Sequence, residues 1–207
     1  MIPPNDTEPE FPSSPGAAEA PDPAQRADAR RNRQRVLTAA EVVLARSGVS
    51  ARMEEIAQQA GVGVGTVYRH FQTKEALLEA ILRARLRTLV EEATALASVA
   101  DPGPALIAFF ARMVNQSRTK RAFSDALAAT GVDLTPETRR AGRELQAALE
   151  IPLKRAQDAG DIRDDLRVSE LMALIGGVSA AAERVGWDAE MQDRVMVLVL
   201  DGLRPRA

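Results

Sequence analysis

Between Arg30 and Ser47 the apolar residues Val36, Leu37, Ala40, Val43 and Leu44 fall at i, i+1, i+4, i+7 and i+8. That spacing lines one side of an α-helix, and Gly48 is placed to end it with a positive φ. Met53, Ile56, Ala57 and Ala60 repeat the pattern over a shorter span, which Gly61 stops. A GVGV turn then leads into GTVYRHF, where Val67 and Phe71 share a face, and Thr73 can cap a helix beginning KEALLEAIL. Long helix, short helix, tight glycine turn and short helix make a three-helix unit. Its last two members form a helix-turn-helix.

The same period continues to the end of the chain. Asp101 and Gly103 break it, and Pro104 suits the first turn of a helix striped by Leu106, Phe109, Phe110, Met113 and Val114. A helix near 121–129 follows, and Pro136 then opens a long one ending near Ala159–Gly160, in which Pro152 predicts a kink or a break. Leu171, Leu174, Ile175, Val178 and Ala182 line a helix that Ser169 or a neighbour starts. Asp188 caps the last, with Val195, Leu198, Val199 and Gly202 along one side. No segment alternates with the period of a strand, so the fold class is all-α. No internal repeat is visible.

Composition narrows the chemistry. The 207 residues include no cysteine and a single histidine, His70. Disulfides, thiolate metal sites and His-pair metal motifs are therefore excluded, and only one imidazole remains for a catalytic triad. With no G-x-S-x-G and no P-loop either, an enzyme is not expected, nor a cofactor or metal. GVGVG lacks the preceding strand and third glycine of a dinucleotide loop. No apolar run approaches the roughly 20 residues of a membrane span, and the acidic, proline-rich opening is unlike a signal peptide. A cytoplasmic protein without membrane partners is the expectation.

The net charge of −2 hides an asymmetry: residues 1–25 carry −5, residues 26–82 carry +3 and the rest is neutral. The first block holds seven of the twelve prolines, a composition that predicts a disordered acidic tail. The basic excess is densest in Arg26, Arg30, Arg31, Arg33 and Arg35, a run that either grips a polyanion or solvates a helix face.

Residues 54–82 decide between these. The pair Ile56-Ala57, the AGV of Ala60 to Val62, the G-T-V-Y-R-H-F of Gly65 to Phe71 and the T-K-E-A-L of Thr73 to Leu77 occur in order. Over roughly residues 31–82 the chain resembles the DNA-binding domain of the tetracycline-repressor (TetR) family of bacterial regulators. A helix that enters the major groove keeps one face in a core and leaves the other small or polar. Val67 and Phe71 take the core side, leaving Val64, Gly65, Thr66, Tyr68, Arg69 and His70 for DNA. Gly63 and Gly65 remove bulk where backbone passes close to phosphate, at N–H groups that favour an anion. The resemblance implies phosphate-positioning roles for Tyr68, His70 and Lys74, with bases read by the start and middle of the helix. Arg69 suits either a guanine or a phosphate, and Arg31 completes the DNA-facing set. Two positions depart from the family pattern: Ala51 and Arg52 stand where a Ser or Thr cap is common, and Gly63 replaces a frequent Ser.

The resemblance further implies a C-terminal region that holds an effector and a dimer interface. AQDAGDIRDDL, from Ala156 to Leu166, also looks like the C-terminal part of many members. The expected organisation is a tail at 1–25, a DNA-binding domain at 26–75 and an effector-binding and dimerisation domain at 76–207. Phe109, Phe110, Met113 and Phe123 are the candidate effector-pocket residues, with Trp187 nearby. The helices near 169–184 and 189–202 are the expected dimer pair, with Ile175, Val178, Ala182, Val195, Leu198 and Val199 at their seam. The implied partners are double-stranded operator DNA, a second copy of the chain and an unidentified small-molecule effector. The implied function is a ligand-responsive repressor of transcription. An activator or a ligand-independent regulator of the same fold is the alternative.

Overall fold

A computed structural model describes residues 23–115 and 134–205. Among the described residues there are eight α-helices, one 3-10 turn and no strand. The candidate pocket residue Phe123, the expected helix near 121–129 and the tail as far as residue 22 lie outside them.

The N-terminal unit is α1 (Pro23–Ser47), a 3-10 turn (Gly48–Ser50), α2 (Met53–Ala60), α3 (Val64–His70) and the start of α4 (Lys74–Leu96). α1 begins seven residues before the Arg30 at which its apolar stripe was read, with Pro23 in the first position, where its missing N–H costs nothing. The expected stripe of α1 is buried, as are Met53, Ile56, Ala57 and Ala60 of α2, Val67 and Phe71, and Leu77, Leu78 and Ile81 of α4. Gly61 takes φ +64°, and the turn closes with the Val62 N–H on the Ala57 carbonyl and the Gly61 N–H on that of Gln58. This doubly bonded stop is what lets α3 start after only three residues. Thr73 caps α4 as its position predicts, its hydroxyl accepting from the Ala76 N–H at 3.1 Å.

α4 is 23 residues long, about 34 Å at helical rise, and serves two cores. Its first turns belong to the N-terminal cluster. Ala93, with Leu86, Leu89, Val90 and Leu96 against it, belongs to a second cluster built from the remaining helices. The boundary read between residues 75 and 76 thus falls within a shared helix. The remaining helices are α5 (Pro102–Asn115), α6 (Pro136–Asp158), α7 (Val168–Val185) and α8 (Ala189–Asp201). α6 runs unbroken through Pro152, which is buried between Leu149 and Leu153 as the helix packs on α4 and α5. Asp188 caps α8 through the Met191 N–H at 2.8 Å. No helix among the described residues is long and apolar enough to cross a membrane.

Polar contacts fasten α4 to its surroundings at three heights. Glu79, itself buried, accepts from the Thr135 N–H at 2.6 Å, just ahead of α6. Arg85 Nε meets Glu41 of α1 at 2.8 Å, and Arg155 Nη1 donates to the Ala97 carbonyl past the last turn of α4. α5 is fixed at its start: a Cβ on Gly103 would lie 2.2 Å from Cβ of Asp161, in the turn after α6. Gly103→Ala is therefore expected to cost about 1–3 kcal/mol. In thermal unfolding each kcal/mol lowers the midpoint by about 2–4 °C. An unchanged midpoint would contradict the close approach of the two turns.

Candidate nucleic-acid interface

α3 has seven residues, too few to persist by itself, and its two faces are sharply unequal. Val67 is fully buried and Phe71, at its end, nearly so; Val64 is 41% and Tyr68 44% exposed. Gly63, Gly65 and Arg69 are exposed on the open side, while Thr66, His70 and the adjoining Lys74 are half-buried. The residues expected to face DNA from the helix-turn-helix therefore sit together along α3 and the start of α4.

Local chemistry explains how this surface is held. Gly63 is the N-cap of α3 and supplies no side-chain cap; its carbonyl accepts from the Thr66 N–H at 2.8 Å. The Arg69 guanidinium lies back along its own helix, donating from Nε to the Gly65 carbonyl at 3.2 Å and from Nη2 to the Thr66 hydroxyl at 3.4 Å. Arg52 is the N-cap of α2 and provides no capping acceptor. Glu54 and Glu55 in the first turn complement the helix dipole instead, and Arg52 Nε meets Glu55 Oε1 at 3.1 Å.

The arginine run of α1 divides by direction. Arg31 pairs with Asp28 on the exposed surface, and Arg35 reaches the Gly61 carbonyl at the end of α2. Arg26, Arg30 and Arg33 instead line one cleft together with His70 at the end of α3. All five belong to the basic run that the sequence marks out, from which Arg31 was placed in the DNA-facing set; Arg26, Arg30 and Arg33 share the i, i+4, i+7 spacing of one helix face.

Of the candidate pocket residues, Phe109, Phe110 and Met113 are in the second core. Phe109 and Phe110 are fully buried, with ring centroids 5.7 Å apart and edge to face, and Met113 is buried beside them. Trp187 lies elsewhere, lining a groove of about 740 Å³ with Leu174, Val178, Ala181 and Leu203. The candidate dimer residues flank that groove on α7 and along α8. Ala182 is buried; Ile175, Val178, Val195 and Val199 are half-buried; Leu198 is 72% exposed. Leu174, Val185, Met191 and Val197 are exposed too, and nothing comes within 4 Å of a Cβ placed on Gly176 or Gly177.

Comparison with known proteins fits this geometry. Residues 36–81 match the model of the bacterial regulatory proteins of the tetR family, and residues 101–205 match the C-terminal domain of SbtR-like transcriptional regulators. The chain belongs to the TetR family. The crystal structure of a TetR transcription regulatory protein from Mycobacterium vanbaalenii is similar at a TM-score of 0.70 and 39% identity, covering 87% of this chain and 99% of that one. The TetR regulator SCO0520 from Streptomyces coelicolor gives 0.65 and 35%, over 84% and 99%. The HTH-type transcriptional regulator SrpR of Pseudomonas putida is 34% identical over 108 residues, 52% of this chain and half of SrpR's own length. This TetR-family chain is thus a DNA-binding transcriptional regulator, of a family whose members are not enzymes.

The interface geometry makes a prediction about stability. Gly65 lies within α3 with nothing within 4 Å of an added Cβ. Gly65→Ala should leave the free protein as stable as before, or more stable by about 0.5–1 kcal/mol. Chemical denaturation tests this, and a loss of stability would mean that Gly65 is there for the fold rather than for an approaching ligand.

Proposed function

We propose that the protein is a homodimeric repressor, released from its operator by a small molecule that binds the C-terminal helices. The observation that carries the DNA-facing part is the two-sided α3. Val67 and Phe71 are sealed in the core, and Val64, Gly65, Thr66, Tyr68 and Arg69 form an open face of small and polar groups. In this reading Val64, Gly65 and Thr66 approach base edges while Gly63 admits the backbone. Tyr68, His70 and Lys74 hold phosphates, with Arg31 in reserve once it leaves its exposed partner Asp28. An exposed pair of that kind is worth at most about 1 kcal/mol, so a phosphate displaces it readily. Arg69 reads guanine or grips phosphate by swinging off its own helix.

One such helix reads too few bases for a unique site, whereas a two-fold dimer reads two half-sites about 34–36 Å apart. The open apolar side of α7 and α8 supports pairing there: Ile175, Val178, Ala182, Val195, Leu198 and Val199 would form the seam, with Gly176 and Gly177 permitting close approach. For the switch, the effector is assigned to the second core at Phe109, Phe110 and Met113, together with Phe123. Phe109, Phe110 and Met113 are packed together, so a ligand among them must prefer a rearranged core, which is the differential affinity that a shift requires. Ala93 and its neighbours on α4 touch that core, and Lys74 stands at the other end of the same helix. Movement at one end thereby respaces the two α3 helices. Whether the outcome is repression or activation follows from where the operator lies relative to a promoter.

Two variants test the contacts. Tyr68→Ala with Lys74→Ala should weaken binding to every duplex about equally. It should also lower the salt slope by about 1 in fluorescence-anisotropy titrations. Binding equal to wild type would remove these residues from the interface. Leu198→Asp should convert the dimer to monomer in sedimentation velocity, and a dimer that persists would place the seam elsewhere.

A further inference from the structure

Arg30 and Arg33 of α1 line a cleft of about 510 Å³ that reaches His70 at the end of α3. Arg33 is stacked on the Phe71 ring, its guanidinium carbon 5.0 Å from the ring centroid. Arg83 and Arg87 stand one turn apart on a common side of α4. Burial first, and then the like charges of Arg83 and Arg87, push the Arg33 guanidinium below its ordinary value, so the three cations gather across α1 and α4. Among the described residues no carboxylate pairs with Arg30, Arg33, Arg83 or Arg87. Like charges gathered in this way attract an anion. One source of anions adjoins them in the chain. Residues 1–22 carry five carboxylates, on Asp6, Glu8, Glu10, Glu19 and Asp22, and no Lys or Arg. They run directly into α1 at Pro23, about 15 Å of helix before Arg33. A chain of their length spans up to about 70 Å, which is ample to turn back over Arg30 and Arg33 and cross to α4.

We propose that residues 1–22 dock on the surface formed by Arg30, Arg33, Arg83 and Arg87 and, lying over His70, compete with DNA for the end of α3. Charge and tethering together select this occupant. Five carboxylates meet four guanidiniums, and the covalent link holds them there at an effective concentration in the millimolar range, roughly that of any short linked ligand. A separate small anion has the charge without the link. The competition rests on the DNA-facing role proposed for α3, whereas the docking itself does not. The segment acts as an electrostatic brake: salt or a high-affinity duplex lifts it, and weak duplexes are refused.

Docking is tested in the full chain by carbodiimide coupling. Arg87→Lys keeps the charge and introduces an amine, and Arg143→Lys does the same on the exposed side of α6 as a control. Residues 1–25 contain no Lys or Arg, so trypsin releases the segment as one peptide ending at Arg26. Coupling of that peptide to position 87 should exceed coupling to position 143 by about tenfold at low salt. It should fall to the control level at 1 M salt, where the Debye length is about 3 Å. Equal coupling at both positions would overturn the docking. The competition is read by anisotropy on a duplex that the full chain selects from a random-sequence pool. Replacing Asp6, Glu8, Glu10, Glu19 and Asp22 together by their amides should tighten binding about tenfold at low salt, as when about one chain in ten is undocked. Arg83→Gln with Arg87→Gln should also tighten it, although positive charge is removed, and should add nothing in the amide variant. Weaker binding in both backgrounds would give these arginines to the DNA backbone and overturn the proposal. Coupling at position 87 with no gain in affinity would overturn the competition. A chain that selects no duplex removes the DNA reading of α3, and the coupling experiment still decides the docking.

Discussion

A recognition helix must be held firmly and yet leave a side uncovered, and in α3 both demands fall on seven residues. A helix of that length gains too few backbone bonds to offset its nucleation, so its stability has to come from packing. Val67 and Phe71 supply it, one at the middle and one at the end of α3, against the helices of the N-terminal core. Their burial fixes the rotation of the helix about its axis and therefore which side chains look outward. Gly61 sets where the helix can begin, and the Thr73 cap fixes how quickly the chain turns into α4. The exposed set from Val64 to Arg69 is a consequence of these anchors.

The same constraint explains why α4 matters beyond its own turns. Leu77, Leu78 and Ile81 complete the core that steadies α3, while Ala93 lies in the other core some way along the same rod. Glu79 fastens this rod to the start of α6, Arg85 to α1, and Arg155 closes its far end. A buried carboxylate on a backbone N–H is a directional bond that is costly to break, so α4 and the start of α6 are held to move together. In this TetR-family chain one helix, α4, therefore belongs to both the N-terminal core and the second core.

What the sequence made legible was local. The stripes of α1 and α2, the caps at Thr73 and Asp188 and the pairing of Val67 with Phe71 are written within one or two turns, where periodicity and capping chemistry act. The start of α1 at Pro23 was hidden because an acidic, proline-rich composition reads as tail, although proline is well tolerated at a helix start. Of the kink or break expected at Pro152, the break is absent: α6 continues through it, with Leu149, Pro152 and Leu153 buried. Glu79 and Thr135 meet across 56 positions and carry no local signal. The Phe109, Phe110 and Met113 stripe shows the limit most clearly: periodicity marks a buried face but does not distinguish a core from a lined pocket. Similarly, the arginine run declared its charge, but only the packing of α1 on α3 separates Arg26, Arg30 and Arg33 from Arg31 and Arg35.

We propose that two copies of α3, held by their cores and related by a two-fold axis, read DNA together. Selection of binding sites from random duplex DNA by the intact chain, followed by sequencing, tests it most directly. The expected result is an enriched inverted repeat whose half-sites are centred about one helical turn, or a whole multiple of it, apart. Enrichment of a single unpaired motif, or of no sequence at all, would contradict it.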